Sequence, residues 1–170
     1  MADDTRLFEM MMLESFQAGL SWLTVLRKRP NFRAAFRGFK PSVVARFTSR
    51  DLARLLSDAG IIRNRAKIEA TINNARRMPE LIDAFGSFAA YVWSYEPKRR
   101  PRPAGRGDLP SQSEEATAMS KDLRKRGWMF VGPTTVYSFV QATGLVNDHI
   151  RGCAAGAECE RARREFRRPK

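Results

Sequence analysis

Glu14 is an acidic residue within a largely apolar stretch, residues 7–16, whose pattern is typical of a buried helix. On that helix its side chain lies one turn from Met10 and Met11, on the face expected to point inward. A buried carboxylate loses its hydration and therefore needs a partner or a ligand. Trp22 follows eight residues later, and an acid beside an indole ring could bind a flat, cationic ring. A structural ion pair with one of the many arginines is the alternative interpretation.

A second pattern, in residues 55–68, could bind nucleic acid. An amphipathic helix ends, a glycine-containing hairpin follows, and another helix begins with basic residues. Backbone N–H groups at such a hairpin and at the next helix start can bind a DNA phosphate without reading sequence. Since many helical proteins have a glycine at such corners, an ordinary turn is the alternative. The candidate DNA-binding residues are Gly60, Ile61, Arg63, Arg65 and Lys67.

The only histidine, His149, lies close to Cys153 along the chain. Side chains one helical turn apart can share a metal ion, but zinc in a structural site takes four ligands. Cys159 is a possible third ligand, and the sequence has no second histidine. The alternative is a lone histidine that forms a hydrogen bond near a helix end.

Composition limits the class of protein. The 170 residues, 43% of them hydrophobic, suffice for one domain or for two small lobes that share a cleft. A net charge of +13 makes nucleic acid the leading macromolecular partner. The two cysteines cannot form a disulfide framework, and neither a signal peptide nor an apolar run of transmembrane length is present. We therefore expect a cytoplasmic protein that does not bind membranes.

The helical period dominates the chain, so the predicted fold class is all-α. Residues that commonly begin helices precede several apolar segments: Ser21, Pro41, Thr48 and Ser113. The segment 95–112 is rich in proline, glycine and arginine and is predicted to be a loop that joins two helical lobes. Residues 1–153 form the predicted domain, and residues 154–170 are predicted to be a basic, flexible tail.

Three sets of motifs follow one another along the chain. They are Leu13-Glu14-x-x-Gln17-Ala18-Gly19-Leu20-Ser21-Trp22, then Asp58-Ala59-Gly60-Ile61-Ile62-Arg63, then Phe130-Val131-Gly132-x-Thr134 with Tyr137-Ser138-Phe139-x-Gln141-Ala142-x-Gly144-Leu145-Val146-Asn147-Asp148-His149. In this order they closely resemble the 3-methyladenine DNA glycosylase I family of bacteria. The resemblance covers about residues 4–153.

The resemblance implies a helix-hairpin-helix glycosylase that flips a methylated adenine out of double-stranded DNA and hydrolyses its glycosidic bond, which initiates base-excision repair. The residue matching Glu14 contacts the alkylated base and is the expected catalytic residue, and the residue matching Trp22 stacks on the base. Gly19 and Leu20 would fill the gap left by the flipped nucleotide. Gly60 to Lys67 would hold the phosphate backbone.

The sequence departs from this family at its start. Family members begin with a segment that carries a cysteine, a histidine and aromatic residues, which complete a zinc site and the base pocket. Of the zinc ligands, only His149 and Cys153 have counterparts here, so no cofactor is expected for the chemistry and structural zinc is not expected. A monomer is expected. The alternatives are a catalytically impaired relative that still binds DNA and, from charge alone, a helical RNA-binding protein.

Overall fold

The computed structural model describes residues 1–98 and 101–170. Within these ranges the regular structure consists of helices, without any strand, as the predicted all-α class requires. Short 3₁₀ turns occur at Arg37–Phe39 and Arg106–Asp108. The α-helices are α1 (Asp4–Gln17), α2 (Trp22–Arg27), α3 (Arg29–Ala35), α4 (Pro41–Val44), α5 (Ser49–Ser57), α6 (Arg65–Phe85), α7 (Phe88–Trp93), α8 (Glu114–Lys125), α9 (Pro133–Ala142) and α10 (Ala154–Glu165).

Capping side chains set several helix starts where the sequence predicted them. Ser21 accepts a hydrogen bond from the backbone N–H of Thr24 and begins α2, and Ser113 caps α8 in the same way. Thr48 and Asp51 form a reciprocal capping box at α5. Each cap satisfies a helix N–H group that has no intrahelical acceptor, and each typically contributes about 1 kcal/mol.

Helix α1 forms the centre of the core. All of its residues from 7 to 16 are buried, including two glutamates, and it packs against α2, α6, α7 and α9. The ring of Phe16 lies 4.7 Å from that of Phe32 and 5.9 Å from that of Phe36, measured between centroids. Burial of such large apolar side chains fixes the position of α1, and therefore of the acidic residues on it.

The connection between α8 and α9 is fastened to α1 and α6 by buried polar side chains. Asn74 of α6 pairs with both backbone groups of Met129, at 2.9 and 2.8 Å, and the hydroxyl of Ser15 donates to the carbonyl of Phe130 at 2.9 Å. Ser120 holds the carbonyl of Val131 at 2.7 Å. These contacts fix the start of α9 beside the end of α1.

The C-terminal segment differs from the flexible tail that the sequence predicted. Residues 154–165 form α10, whose Arg163 is ion-paired with Glu96 at 2.9 Å. Phe166 packs on Trp93 with ring centroids 4.6 Å apart. Periodicity did not predict this helix, because α10 is held by arginine contacts and by one aromatic residue, and not by an apolar stripe.

No helix in the described ranges is long and apolar enough to cross a membrane. The predicted division into two lobes joined by residues 95–112 stays a prediction. Arg99 and Arg100, part of that segment, lie outside the described residues.

Candidate nucleic-acid and base-binding site

The carboxyl group of Glu14 lies at one side of a cavity of about 450 Å³. Its side chain is 5% exposed, and within the described part of the chain it forms no ion pair. Burial alone raises the pKa of this carboxyl to about 7, because the charged form loses hydration and gains no compensating cation. The ion-pair alternative for Glu14 therefore has no support in the described residues.

Glu9, on the same helix, provides the contrast. It is also buried, and one of its oxygens accepts from Arg29 at 2.7 Å and from Arg33 at 2.8 Å. Two guanidinium groups compensate the lost hydration of this carboxylate. The chain thus pairs one buried acid of α1 structurally and leaves the other facing a cavity.

Trp22 shares the cavity with Glu14. It is the first residue of α2, and the Ser21 cap and the positive φ of Gly19 (+81°) let the chain turn from α1 into α2 within four residues. The structure thereby brings together the acid and the indole that the sequence singled out. Their roles in binding a base stay predictions.

A second cavity, of about 530 Å³, adjoins the first, since Glu14 and Gln17 line both. Gly19 and Leu20 line this second cavity together with Thr134 and Thr135 at the start of α9. The side chain of Leu20 is 43% exposed although it is apolar. An exposed leucine that lines a cavity can insert into a base stack, and this role of Leu20 stays a prediction.

Tyr137, Gln141 and Asp148 belong to the motifs that carry the resemblance, but no role at the site was predicted for them. Asp148 accepts from the hydroxyl of Tyr137 at 2.5 Å and from the amide of Gln141 at 3.1 Å, and Asp148 and Gln141 line the first cavity. Tyr137 and Gln141 lie one turn apart on α9, so their spacing could have indicated that these two side chains share a partner. The remaining lining residues of this cavity are Gln17, Leu109, Ser138, Ala142, Val146, His149 and Cys159.

The predicted hairpin lies between α5 and α6. Asn64 caps α6 by accepting from the backbone N–H of Lys67, and Arg63 and Arg65 are exposed. The carbonyl of Gly60 accepts from Lys28 at 3.2 Å and from Asn31 at 3.3 Å. The hairpin is thus fastened to the region that follows Trp22.

Gly60 is needed for close packing at this point. A Cβ there would lie 2.9 Å from Asp58 Oδ1 and 3.1 to 3.2 Å from atoms of Asn31. The side chain of Ile61 is 3% exposed and belongs to the core, so only its backbone could contact DNA. The predicted contact between backbone N–H groups of this hairpin and a DNA phosphate stays a prediction.

Lys67 differs most from the sequence-based expectation. Its side chain is 7% exposed, and its ammonium group donates to the carbonyls of Phe16 at 2.9 Å and Ala18 at 2.6 Å. These carbonyls lie at the C-terminal end of α1, where a cation is favoured by the helix dipole. Lys67 therefore links the hairpin to the helix of Glu14, and its ammonium forms hydrogen bonds within the protein.

His149 and Cys153 lie together, with Nδ1 and Sγ 3.8 Å apart. Two such donors could share one ion, but residues 1–98 and 101–170 contain no group of three or more histidine, cysteine or acidic side chains that could hold a metal. The residues described here therefore do not form a four-ligand zinc site.

The fold and the site define a class: an all-helical protein with a buried acid and an indole at one cavity, linked to a basic hairpin between two helices. The family model for methyladenine glycosylase matches residues 1–156, and the chain belongs to this family. The family resemblance inferred from the motifs is thereby confirmed.

Individual relatives agree with this assignment. DNA-3-methyladenine glycosylase 1 of Escherichia coli is 47% identical over 89% of this chain and 82% of its own length. A crystal structure of 3-methyladenine DNA glycosylase I, also 47% identical, has a TM-score of 0.85 and covers 91% of this chain and 86% of that chain. A variant of such an enzyme in complex with 3-methyladenine is 37% identical, has a TM-score of 0.86, and covers 92% and 85%.

Proposed function

We propose that this protein removes 3-methyladenine from double-stranded DNA by hydrolysis of the N-glycosidic bond. The observation that carries the proposal is the buried Glu14 carboxyl, which has no ion-pair partner in the described residues and faces a cavity beside Trp22. Membership of the methyladenine glycosylase family supports the same activity. The protein would thus initiate base-excision repair.

The charge of the substrate accounts for the acid. Methylation at N3 leaves adenine positively charged, which weakens the glycosidic bond, and a carboxylate near an aromatic ring favours such a cation over neutral adenine. The bond between C1′ and N9 breaks with its electron pair going to the base, which leaves as neutral 3-methyladenine without prior protonation. Water adds to C1′ and releases a proton. Glu14, when ionised, would stabilise the positive charge that develops on the sugar.

Access to the bond requires that the nucleotide leave the stack. Leu20 and Gly19, at the mouth of the adjoining cavity, would fill the resulting gap, and the apolar leucine would offset part of the lost stacking. The hairpin would bind the phosphate backbone through its exposed Arg63 and Arg65 and through N–H groups at the start of α6. Lys28 and Lys67 join the hairpin to the helices that line the pocket, and would thereby fix the position of the bound phosphates relative to the pocket.

The direct test is release of free base. The purified chain should release 3-methyladenine from methylated DNA, and Glu14→Ala or Trp22→Ala should lower the release at least tenfold, about 1.4 kcal/mol of barrier. Glu80→Gln, an exposed acid on α6, is the matched control and should leave the rate unchanged.

The rival function is DNA binding without catalysis. It predicts no release above background by the intact chain, together with normal DNA affinity in the Glu14 variant.

We further propose that the protein acts as a monomer in the cytoplasm. Sedimentation of the purified chain and fractionation of cells would test these two points.

A further inference from the structure

Helix α10 contributes a side chain to the cavity of Glu14 and Trp22. Cys159, half-buried, lines this cavity and also a neighbouring one of about 180 Å³ that is bordered by Trp93 and Phe166. Cys159 therefore lies between the two cavities. Cys159 lies beyond residue 156, where the match to the family model ends.

The end of α10 is anchored by charged groups. Arg163 donates to the carbonyls of Gly144, at 2.8 Å, and Leu145, which follow α9, and it also pairs with Glu96. Arg168 pairs with the same Glu96 carboxylate at 2.7 Å. Bonds of this kind, with partly buried partners, hold a helix more firmly than isolated surface pairs.

The first turn of α10 is also bonded to the rest of the protein. The buried amide of Asn147 donates to the carbonyl of Gly156 at 2.9 Å, and a Cβ at Gly156 would lie only 2.8 Å from the Cβ of His149. The backbone of α10 thus lies directly against the residues that line the base cavity. Cys159 is presented to that cavity by a helix fixed at both of its ends.

We propose that α10 is a wall of the base pocket and that Cys159 is a specificity-determining residue that contacts the ejected 3-methyladenine. The inference rests on the proposed function. A thiol is small and polarisable, so it packs against a flat ring while leaving room for the ring beside Trp22. A larger side chain at this position would occupy the space that the base needs.

The experiment compares Cys159→Phe with the unmodified chain. Calorimetry with free 3-methyladenine should show at least a tenfold loss of affinity, and release of the base from methylated DNA should fall by a similar factor. Affinity for a duplex with a tetrahydrofuran abasic site, which has no base to accommodate, should stay within twofold. Ala157→Phe, on the exposed side of the same helix, is the control and should behave like the unmodified chain.

Base affinity retained in Cys159→Phe would overturn the role of Cys159, and so would an equal loss for the abasic duplex. If Cys159→Phe unfolds, Cys159→Ala decides the question: base affinity at least threefold weaker supports the contact, and unchanged affinity overturns it. An unmodified chain that neither binds nor releases 3-methyladenine would instead overturn the proposed function itself.

Discussion

At the scale of single residues, the two buried acids of α1 show how a residue that binds a ligand can be distinguished from one that only stabilises the fold. Glu9 is stabilised by Arg29 and Arg33, whereas Glu14 is buried without such a partner in the described ranges. An uncompensated carboxyl lowers the stability of the folded state and is best explained by a ligand that supplies the missing charge. A cationic methylated base is such a ligand.

The stability of the free protein should therefore depend on Glu14 and on pH. The pKa of this carboxyl is about 7 in the folded protein against an ordinary 4.5, so its ionisation favours the unfolded state as pH rises from about 4.5 to about 7. Above that range the penalty is constant, on the order of 3 kcal/mol. Glu14→Gln should raise the free energy of unfolding at pH 8 and have much less effect at pH 4.5.

Urea denaturation at both pH values measures this difference, with the exposed Glu80→Gln as the control. If Glu14→Gln changed the free energy of unfolding equally at the two pH values, the raised pKa of Glu14 would be contradicted.

The same ionisation should appear in catalysis. If the carboxylate form of Glu14 binds the cationic base, kcat/KM for excision should fall tenfold per pH unit below about 7, because kcat/KM reports groups of the free enzyme. The residual activity of Glu14→Gln should lack this dependence. A flat profile between pH 5 and 8 in the unmodified protein would argue against an ionised Glu14 in the reaction.

At the scale of helices, the capping residues were the sequence signals that predicted where helices begin. Ser21, Thr48 and Ser113 begin helices as predicted, because their side chains satisfy N–H groups within the next turn, which is a local effect. The conformation of 154–170 and the orientation of Lys67 depend on distant partners such as Glu96 and Phe16. A single sequence does not encode such partners in any local pattern.

Lys67 is expected to act as a link between α6 and α1. Replacement by methionine keeps the apolar stem but leaves the carbonyls of Phe16 and Ala18 without this donor. Since hydrogen bonds to charged groups contribute about 1.5–3 kcal/mol, Lys67→Met should lower the free energy of unfolding by about that amount. Chemical denaturation measures the change, and Arg65→Ala, whose side chain is exposed, should differ from the unmodified chain by less than about 0.5 kcal/mol.

At the scale of the whole molecule, net charge and fold predict different properties. The charge of +13 indicates attraction to polyanions, but it does not locate the contact surface. The all-helical architecture could be predicted from periodicity. The pocket required the structure, because its lining residues come from α1, α2, α9, α10, the loop near Leu109 and the segment between α9 and α10. Among them, the sequence predicted a base-binding role for Glu14 and Trp22 alone, and it offered His149 and Cys159 only as possible metal ligands.

Duplex DNA affinity should depend steeply on salt, because each neutralised phosphate releases counterions. With about four phosphate contacts, the binding constant should fall about 100-fold between 50 and 200 mM salt. Arg63→Ala and Arg65→Ala should each reduce the slope of log K against log salt by about one, since both side chains are exposed at the hairpin. Lys67→Met should leave the slope unchanged, because its ammonium is bonded to Phe16 and Ala18.

Arg77→Ala, twelve residues further along α6 and paired with Glu80, is the control. Fluorescence anisotropy on an undamaged duplex separates these cases. A slope that falls for Lys67→Met and not for Arg65→Ala would place the phosphate contact on the side chain that the structure finds buried.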